Sequence, residues 1–402
     1  MRNETSVPKY SIVIPTRNRE KYLPYAVESV LSTKRADIEV IVSNNCSSDG
    51  TAAYLSTLSD SRLKVVGPSE VLPMSLHYEF ALSQAVGEWV TILGDDDAVM
   101  PYLFERLDCL IVRFRETSII SSERAYYFWE GCEDLYGASV VAYTRGPGQS
   151  IRSPKKDLLA AIAGMRSCFD LPQVYTSCIV KRSLIERIKK DSGGRFYQSI
   201  IPDMYSAVSL CLAEKTYLRV EEPLFWTGTS SSSMGRSDRI YKDSELKGGS
   251  GGRDVPTLKL HASVPQSLHI LGFGSLYLYE ALLNCPFANG FWKSKGIARL
   301  VYADVLIKTR KESAKRGFDR ARVEKEIYEQ IGANALSVRQ VKAIIALVRA
   351  LTIIQQALLI PKRLLRKTRR RLSRDALVSN DRERFHTILE ASRAVEDVLE
   401  GR

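Results

Sequence analysis

Two short segments carry the residue types that could do chemistry: Asn44-Asn45-Cys46-Ser47-Ser48-Asp49-Gly50-Thr51 and Gly94-Asp95-Asp96-Asp97. Each follows a short apolar run, Glu39-Val40-Ile41-Val42 and Trp89-Val90-Thr91-Ile92-Leu93, that reads as a buried parallel strand. Both segments therefore belong at the carboxyl ends of strands in one sheet, the edge where open α/β sheets bind ligands. Three consecutive carboxylates repel one another unless a cation or a proton intervenes. As hard oxygen ligands on a short loop, Asp95, Asp96 and Asp97 suit Mg2+ or Mn2+, held together with waters and a phosphate-bearing substrate. The loop reads as exposed, with Asp96 and Asp97 nearest the metal.

The elements that must position these loops alternate strand and helix signals over residues 10 to 115. Tyr10 to Ile14 is an apolar strand ended by Pro15, and Tyr22 to Leu31 is an amphipathic helix with Ala26, Val27, Val30 and Leu31 on one side. Asp49 can cap a helix starting near Thr51. A short strand at Leu63 to Val66 and a helix from about Ser75 to Val86, closed by Gly87, lead into the strand before the aspartates. This order specifies an α/β fold with a mostly parallel sheet flanked by helices. Farther on, strands are expected at Val140 to Tyr143, Tyr175 to Val180 and Tyr217 to Val220, and helices near Lys155 to Gly164 and Asp203 to Ala213. Thr227 to Gly252 is rich in Ser and Gly and reads as a mobile loop. Beyond Pro256 the pattern is helical: Ser267 to Asn284, Trp292 to Arg316, Asp319 to Ile331, Val338 to Arg371 and Arg382 to Glu400.

Composition narrows the function classes. The 402 residues, 45% of them apolar, suffice for two or three domains with a real core. Seven scattered cysteines form no C-x-x-C pair, which argues for reduced thiols in a cytosolic compartment and against a zinc site. Met1 to Pro8 is polar and lacks the apolar stretch of a signal peptide. The net charge of +12 is concentrated between Arg339 and Arg374, which hold eleven Lys or Arg and no acid, leaving about +1 on the rest. Nucleic acid is therefore not the expected partner.

Taken together, Ser11-Ile12-Val13-Ile14-Pro15-Thr16-Arg17-Asn18, Glu28-Ser29-Val30-Leu31, the Asn44 to Thr51 segment, Phe80 to Glu88 and Gly94-Asp95-Asp96-Asp97 resemble the family 2 inverting glycosyltransferases of the GT-A fold. The resemblance is strong over residues 9 to 115 and loose over 116 to 235. It implies a GT-A nucleotide-diphospho-sugar transferase-like sheet, followed here by a helical C-terminal region. It also implies that Pro15, Thr16, Arg17, Asn18, Asn44, Asn45, Asp49, Asp95 and Asp96 bind the donor, a UDP-sugar before others, and that Asp95, Asp96 and Asp97 hold the metal. Two departures stand out. Asn44-Asn45-Cys46 replaces the family's Asp-Asp-Gly; an amide can still accept a base N–H but brings no charge. Gly94-Asp95-Asp96-Asp97 replaces Asp-x-Asp-Asp, which leaves open whether Asp95 or Asp96 contacts ribose and metal.

An inverting transfer needs a base for the acceptor hydroxyl. In the family this is a carboxylate opening a helix about a hundred residues past the metal motif, and Asp203 in Ile201-Pro202-Asp203 fits by position, with Asp170 in reserve. Ser230 to Gly235 with Arg236 stands where relatives close a loop over the donor. The four histidines have no ligand spacing, and Cys46 reads as a small buried filler.

In the C-terminal region Ile344, Leu347, Val348, Leu351, Ile354 and Leu358 share a helical face, and Lys362 to Arg374 adds eight positive charges. This suits an in-plane helix at a membrane surface, with a packed helix and solvated basic tail as the alternative. The expected organisation is a catalytic domain over 1–235 (nucleotide and metal half 9–115, acceptor half 116–235), a Gly/Ser-rich loop 236–256, a helical region 257–335, a basic amphipathic helix 336–375 and a final helix 376–402. The expected activity is metal-dependent, inverting sugar transfer to a glycan or polyprenyl-linked acceptor in surface polysaccharide assembly, in the cytoplasm or peripherally on the cytoplasmic membrane face. Rival readings are a sugar nucleotidyltransferase, whose Gly-rich phosphate loop Pro15-Thr16-Arg17-Asn18 does not match, and a silent glycan-binding protein.

Overall fold

The computed structural model describes residues 7–132, 140–141, 148–230, 233, 260–269, 272–348, 350, 378–379, 385 and 387–399. The expected loop 236–256 and most of the basic segment, 351–377, lie outside the described residues. The first half alternates β1 (Tyr10–Thr16), α1 (Leu23–Leu31), β2 (Ile38–Asn44), α2 (Thr51–Ser56), β3 (Leu63–Val66), α3 (Met74–Leu82) and β4 (Trp89–Ile92). It continues through β5 (Ala98–Val99), α4 (Leu103–Arg113) and β6 (Ile119–Phe128). The second half contributes β7 (Val140–Val141), β8 (Gln149–Arg152), α5 (Pro154–Ile162), β9 (Cys178–Lys181), α6 (Arg182–Asp191), α7 (Pro202–Ala213) and β10 (Tyr217–Thr229).

The sheet runs β7-β6-β9-β4-β1-β2-β3, with β10 pairing β5, β6 and β8. Strands β3, β2, β1 and β4 are mutually parallel, as the βαβ order requires. Beyond β4 the sheet is mixed: β9 is antiparallel to both β4 and β6, while β10 is parallel to β6. Register decides where the loops emerge. Thr16 pairs with Asn44, so β1 and β2 finish level, and Val13 pairs with Ile92, with the Leu93 N–H donating to the Val13 carbonyl at 2.8 Å. The segments after β1, β2 and β4 thus leave the same edge side by side.

Both faces of the sheet are covered. On one, Ile12, Ile14, Val40 and Val42 pack with Leu23, Val27 and Val30 of α1 and Phe104 and Leu107 of α4. On the other, Val13, Ile41, Val90 and Ile92 belong to a continuous cluster that includes Leu276 and Leu282 of α9 (Gly274–Asn284), Val301 and Val305 of α10 (Lys295–Arg316) and Ile327 of α11 (Arg320–Ala333). The helical region therefore shares its core with the sheet.

Several elements end where local chemistry dictates. The long helix expected over 267–284 is split into α8 (Gln266–His269) and α9, with Gly272 between them at φ 68°. Ser294 caps α10 by accepting from the Ile297 N–H, and Asp319 caps α11 through the N–H groups of Ala321 and Arg322. Residues 338–348 are helical. There Val341 and Ile345 enter the core with Ile344 against it, while Leu347 is 59% exposed. The buried stripe is thus offset from the Ile344–Leu347–Val348 face expected from sequence. A final helix, α12 (Ile388–Leu399), packs Ile388, Ala391 and Val395 against Trp226, Trp129 and Met100. No described helix is long and apolar enough to cross a membrane.

Candidate active site

The Gly94–Asp97 turn is not an exposed loop: Asp96 is 7% and Asp97 1% accessible. Both oxygens of Asp97 are engaged by the scaffold. Oδ2 accepts from the Gly94 N–H at 3.0 Å and from the Thr176 hydroxyl, and Oδ1 from the Gly228 N–H at 2.6 Å. These bonds fasten the turn to the β9 approach and to β10. Asp97 is thereby occupied where the sequence reading had it beside the metal.

Among the described residues, the Asp96 carboxylate is held through one oxygen. Its Oδ2 accepts from the Ser230 N–H at 3.2 Å and the Ser233 hydroxyl at 2.5 Å, while its carbonyl accepts from Trp129 Nε1 at 2.9 Å. Ser230 and Ser233, from the Ser-rich segment, thus place two donors on this carboxylate; Arg236 lies outside the described residues. Gly228 is required here, since a Cβ at that position would sit 1.7 Å from the Asp96 carbonyl oxygen. Asp95 lies beside Arg19, whose Nε is 3.3 Å from Oδ1. Burial, partly offset by Arg19, raises the Asp95 pKa, and burial together with the Asp96 charge raises that of Asp97.

The first two loops are laced to each other. Arg17 Nη1 donates to the Asn45 carbonyl at 2.9 Å, the Asn18 N–H to the Ser47 hydroxyl at 2.9 Å, and the Ser48 N–H to Asn18 Oδ1 at 2.8 Å. Asn45 makes a two-way pair with the Leu72 backbone, 2.9 Å in each direction, so its amide is spent on holding the 67–72 loop. Asp49 accepts from the N–H groups of Thr51 and Glu20 at 3.0 and 3.1 Å. The helix cap expected of it is present in substance, although Gly50 is the capping residue by position. Asn44 Oδ1 takes the Ser47 N–H at 3.0 Å. Thr16 is buried, while Arg17 and Asn44 remain partly open at the edge. Cys46, expected to be a buried filler, is exposed, because at φ 51° it holds a left-handed turn position at the sheet edge. His77 is a core histidine, with Nε2 2.9 Å from the Ser43 hydroxyl.

Asp203 is the second residue of α7, and its Oδ1 accepts its neighbour Met204's N–H at 3.0 Å. Burial raises its pKa, with Arg124 acting in the opposite direction. Tyr78 and Tyr175 stack with ring centroids 6.5 Å apart. Burial, then the charges of Asp203 and of the three aspartates, pushes the Tyr78 phenol far up, and burial with the charges of Asp97, Asp96 and Asp203 does the same to Tyr175. Asp203 and the aspartate turn thus act on the same two tyrosines. Asp170 lies in a short 3-10 turn, Cys168–Asp170.

Sequence reasoning missed Arg19, Thr176, Trp129, Tyr78 and Tyr175. Their roles follow from contacts between segments 33 to 97 residues apart, and no local spacing signals those. Among the described residues, no group of three His, Cys, Asp or Glu side chains is arranged to hold a metal ion.

Comparison with known proteins gives this geometry a context. Residues 11–126 match the family described as glycosyl transferase family 2. A GalNAc(5)-diNAcBac-PP-undecaprenol beta-1,3-glucosyltransferase of Campylobacter jejuni is 35% identical over 103 residues, covering 23% of this chain and 31% of that protein. A succinoglycan biosynthesis protein, ExoO of Rhizobium meliloti, is 27% identical over 25% of this chain and 29% of its own length. The chain therefore spans only about a third of these relatives. Among solved structures, S. aureus TarS 1-349 in complex with UDP-GlcNAc aligns over 80% of this chain and 92% of its own at 16% identity and a TM-score of 0.42.

Proposed function

Starting from the membership of residues 11–126 in glycosyl transferase family 2, we propose that the chain is an inverting glycosyltransferase using a nucleoside diphosphate sugar, with a uridine nucleotide the first donor to test. The observation that carries the reading is the strand register. It brings the β1 and β2 loops and the Asp95–Asp97 turn to one edge, and the charge of Asp203 acts on the same tyrosines as those of the turn. The edge between Arg17 and Asn44 receives the nucleoside, and the aspartate turn lies where a diphosphate follows.

The donor set fits a divalent cation. Three carboxylates share one turn, two of them buried, and Arg19 stands beside Asp95 as counter-charge, so negative charge is in excess until a cation arrives. Asp96, with Asp95 beside it, would hold Mg2+ or Mn2+ while Asp97 fixes the turn. The few protein ligands match a metal completed by phosphate oxygens and water. When bound, the metal neutralises charge on the departing diphosphate.

In the transfer itself, the acceptor hydroxyl loses its proton to an Asp203 oxygen as its own oxygen attacks the anomeric carbon. The bond from that carbon to the diphosphate breaks on the opposite face, which inverts the configuration. Tyr78 and Tyr175, stacked on each other, are proposed to stand between the two carboxylate groups and to limit water there.

A glycan or polyprenyl-linked acceptor and a place in polysaccharide assembly are proposed on the relatives' names alone, and work on the cytoplasmic membrane face is proposed from the basic charge of 336–375. The domain division at about 235, with helices 257–335 following, is likewise proposed, with the shared core tying the two parts together. The test is nucleoside diphosphate release from a panel of nucleotide sugars, with and without EDTA. Release with at least one donor that EDTA suppresses supports the reading; binding of a donor without release under any metal favours a silent binding protein.

A further inference from the structure

We propose that Glu280, in the helical region, is a positioning residue that fixes the segment presenting Asp203; this rests on the reading of Asp203 as the acceptor base. Glu280 lies on α9 and is 1% exposed. Its Oε2 accepts from the Ser199 hydroxyl and its Oε1 from Asn284 Nδ2 at 2.5 Å. A carboxylate removed from water is costly unless such donors surround it. Ser199, 2% exposed, stands three residues before Pro202, the first residue of α7, and Asp203 follows it.

The segment between α6 and α7 has no regular structure to hold its own shape. Side chains on two flanks hold it instead. From α3, Ser75 donates to the Ser199 carbonyl and, at 2.9 Å, to the Ile200 carbonyl, while Glu79 Oε2 accepts from the N–H groups of Phe196 and Tyr197 at 2.9 Å each. From α9, Glu280 takes the Ser199 hydroxyl. The α3 flank belongs to the nucleotide half, so the α9 flank is where the helical region reaches the base. Proton abstraction depends on carboxylate placement to within about an ångström. A loosened Ser199 therefore lowers the chemical step while leaving the donor loops untouched.

The experiment follows nucleoside diphosphate release from a uridine diphosphate sugar with water as acceptor, together with donor Kd, in the full chain. The variants are Ser199→Ala, Glu280→Ala, Glu280→Gln, Asp203→Asn and the Ser199→Ala/Asp203→Asn pair. Ser199→Ala removes a single hydroxyl, so the proposal stays testable even if Glu280→Ala does not fold. The expected result is a kcat loss of about tenfold or more in Ser199→Ala with donor Kd within twofold. Glu280→Gln, which keeps an oxygen acceptor for Ser199, should retain more kcat than Glu280→Ala. In the Asp203→Asn background, the Ser199 change should add less than twofold, because both act through one carboxylate. Unchanged kcat in Ser199→Ala beside an Asp203→Asn slowed by orders of magnitude, or a full multiplicative loss in the residual turnover of the pair, overturns the positioning role alone. An Asp203→Asn with near-wild-type kcat overturns the base assignment and this inference with it.

Discussion

The three aspartates of the turn have different duties, although their side chains are identical. Asp97→Asn would present an NH2 group to backbone N–H donors in a site with 1% exposure. Each buried donor left unsatisfied costs about 1–3 kcal/mol, so thermal melting should show a clear loss of stability. Asp96→Asn should melt close to wild type and lose nucleoside diphosphate release by orders of magnitude. Equal melting of the two variants would contradict this division. The sequence displayed the motif but not the division, because the donors on Asp97 come from Thr176 and Gly228, far along the chain. Asp203 gives a pH expectation as well. Burial raises its pKa, and the proposed base would work only when unprotonated. The acidic limb of kcat should therefore fall above the ordinary carboxylate range in wild type and disappear in Asp203→Asn; a limb near pH 4 would contradict a buried base.

His77 offers a stability test at the same scale. Burial pushes its pKa down to about 4 from 6.5. Between those values the unfolded chain takes up a proton that the folded chain refuses, so stability is present above 6.5 and drains away as pH falls toward 4. Urea unfolding at pH 7 and pH 5 should show a smaller difference in His77→Gln than in wild type. An unchanged difference would mean that this imidazole is protonated in the fold.

At the scale of elements, what was legible followed from periodicity, and what was not followed from pairing. Apolar runs at Tyr10–Ile14, Val40–Val42 and Trp89–Ile92 revealed the parallel strands, because a strand buried on both faces has few polar positions. β10 was seen only at its start. It continues through Pro223 to Thr229 with two register irregularities against β6, and proline and bulges disguise a strand in a sequence. That hidden half matters to the site, since it carries Gly228 and leads to Ser230. Gly228→Ala should displace the Asp96 carbonyl and abolish release while the sheet core persists, as far-ultraviolet circular dichroism would show; near-normal release would mean that the turn tolerates a methyl group there.

At the scale of the whole molecule, the helical region is built into the core, and this constrains how the basic segment can be tested. Cutting the chain before Val338 would also remove Val341, Ile345 and the Ile388, Ala391 and Val395 surface of α12 that covers Trp226 and Trp129. Trp129 in turn holds Asp96. Replacing Lys362, Arg363, Arg366 and Lys367 by Gln keeps those contacts. If the segment binds an anionic membrane, each charge contributes about 1 kcal/mol, so the variant should lose flotation with anionic vesicles at low salt and keep its release rate. Equal flotation of both proteins would assign the charges to a solvated tail.

The central claim is that this cleft breaks the bond between sugar and nucleoside diphosphate with the help of Asp96. Its most direct test is one measurement: nucleoside diphosphate released from a panel of nucleotide sugars in Mn2+ by wild type and by Asp96→Asn, at matched folded concentration. The account expects release from at least one donor by wild type and a loss of at least a hundredfold, roughly the effect of removing one transition-state contact, in the variant. Equal rates in the two proteins, or no release from any donor that wild type binds, would contradict it.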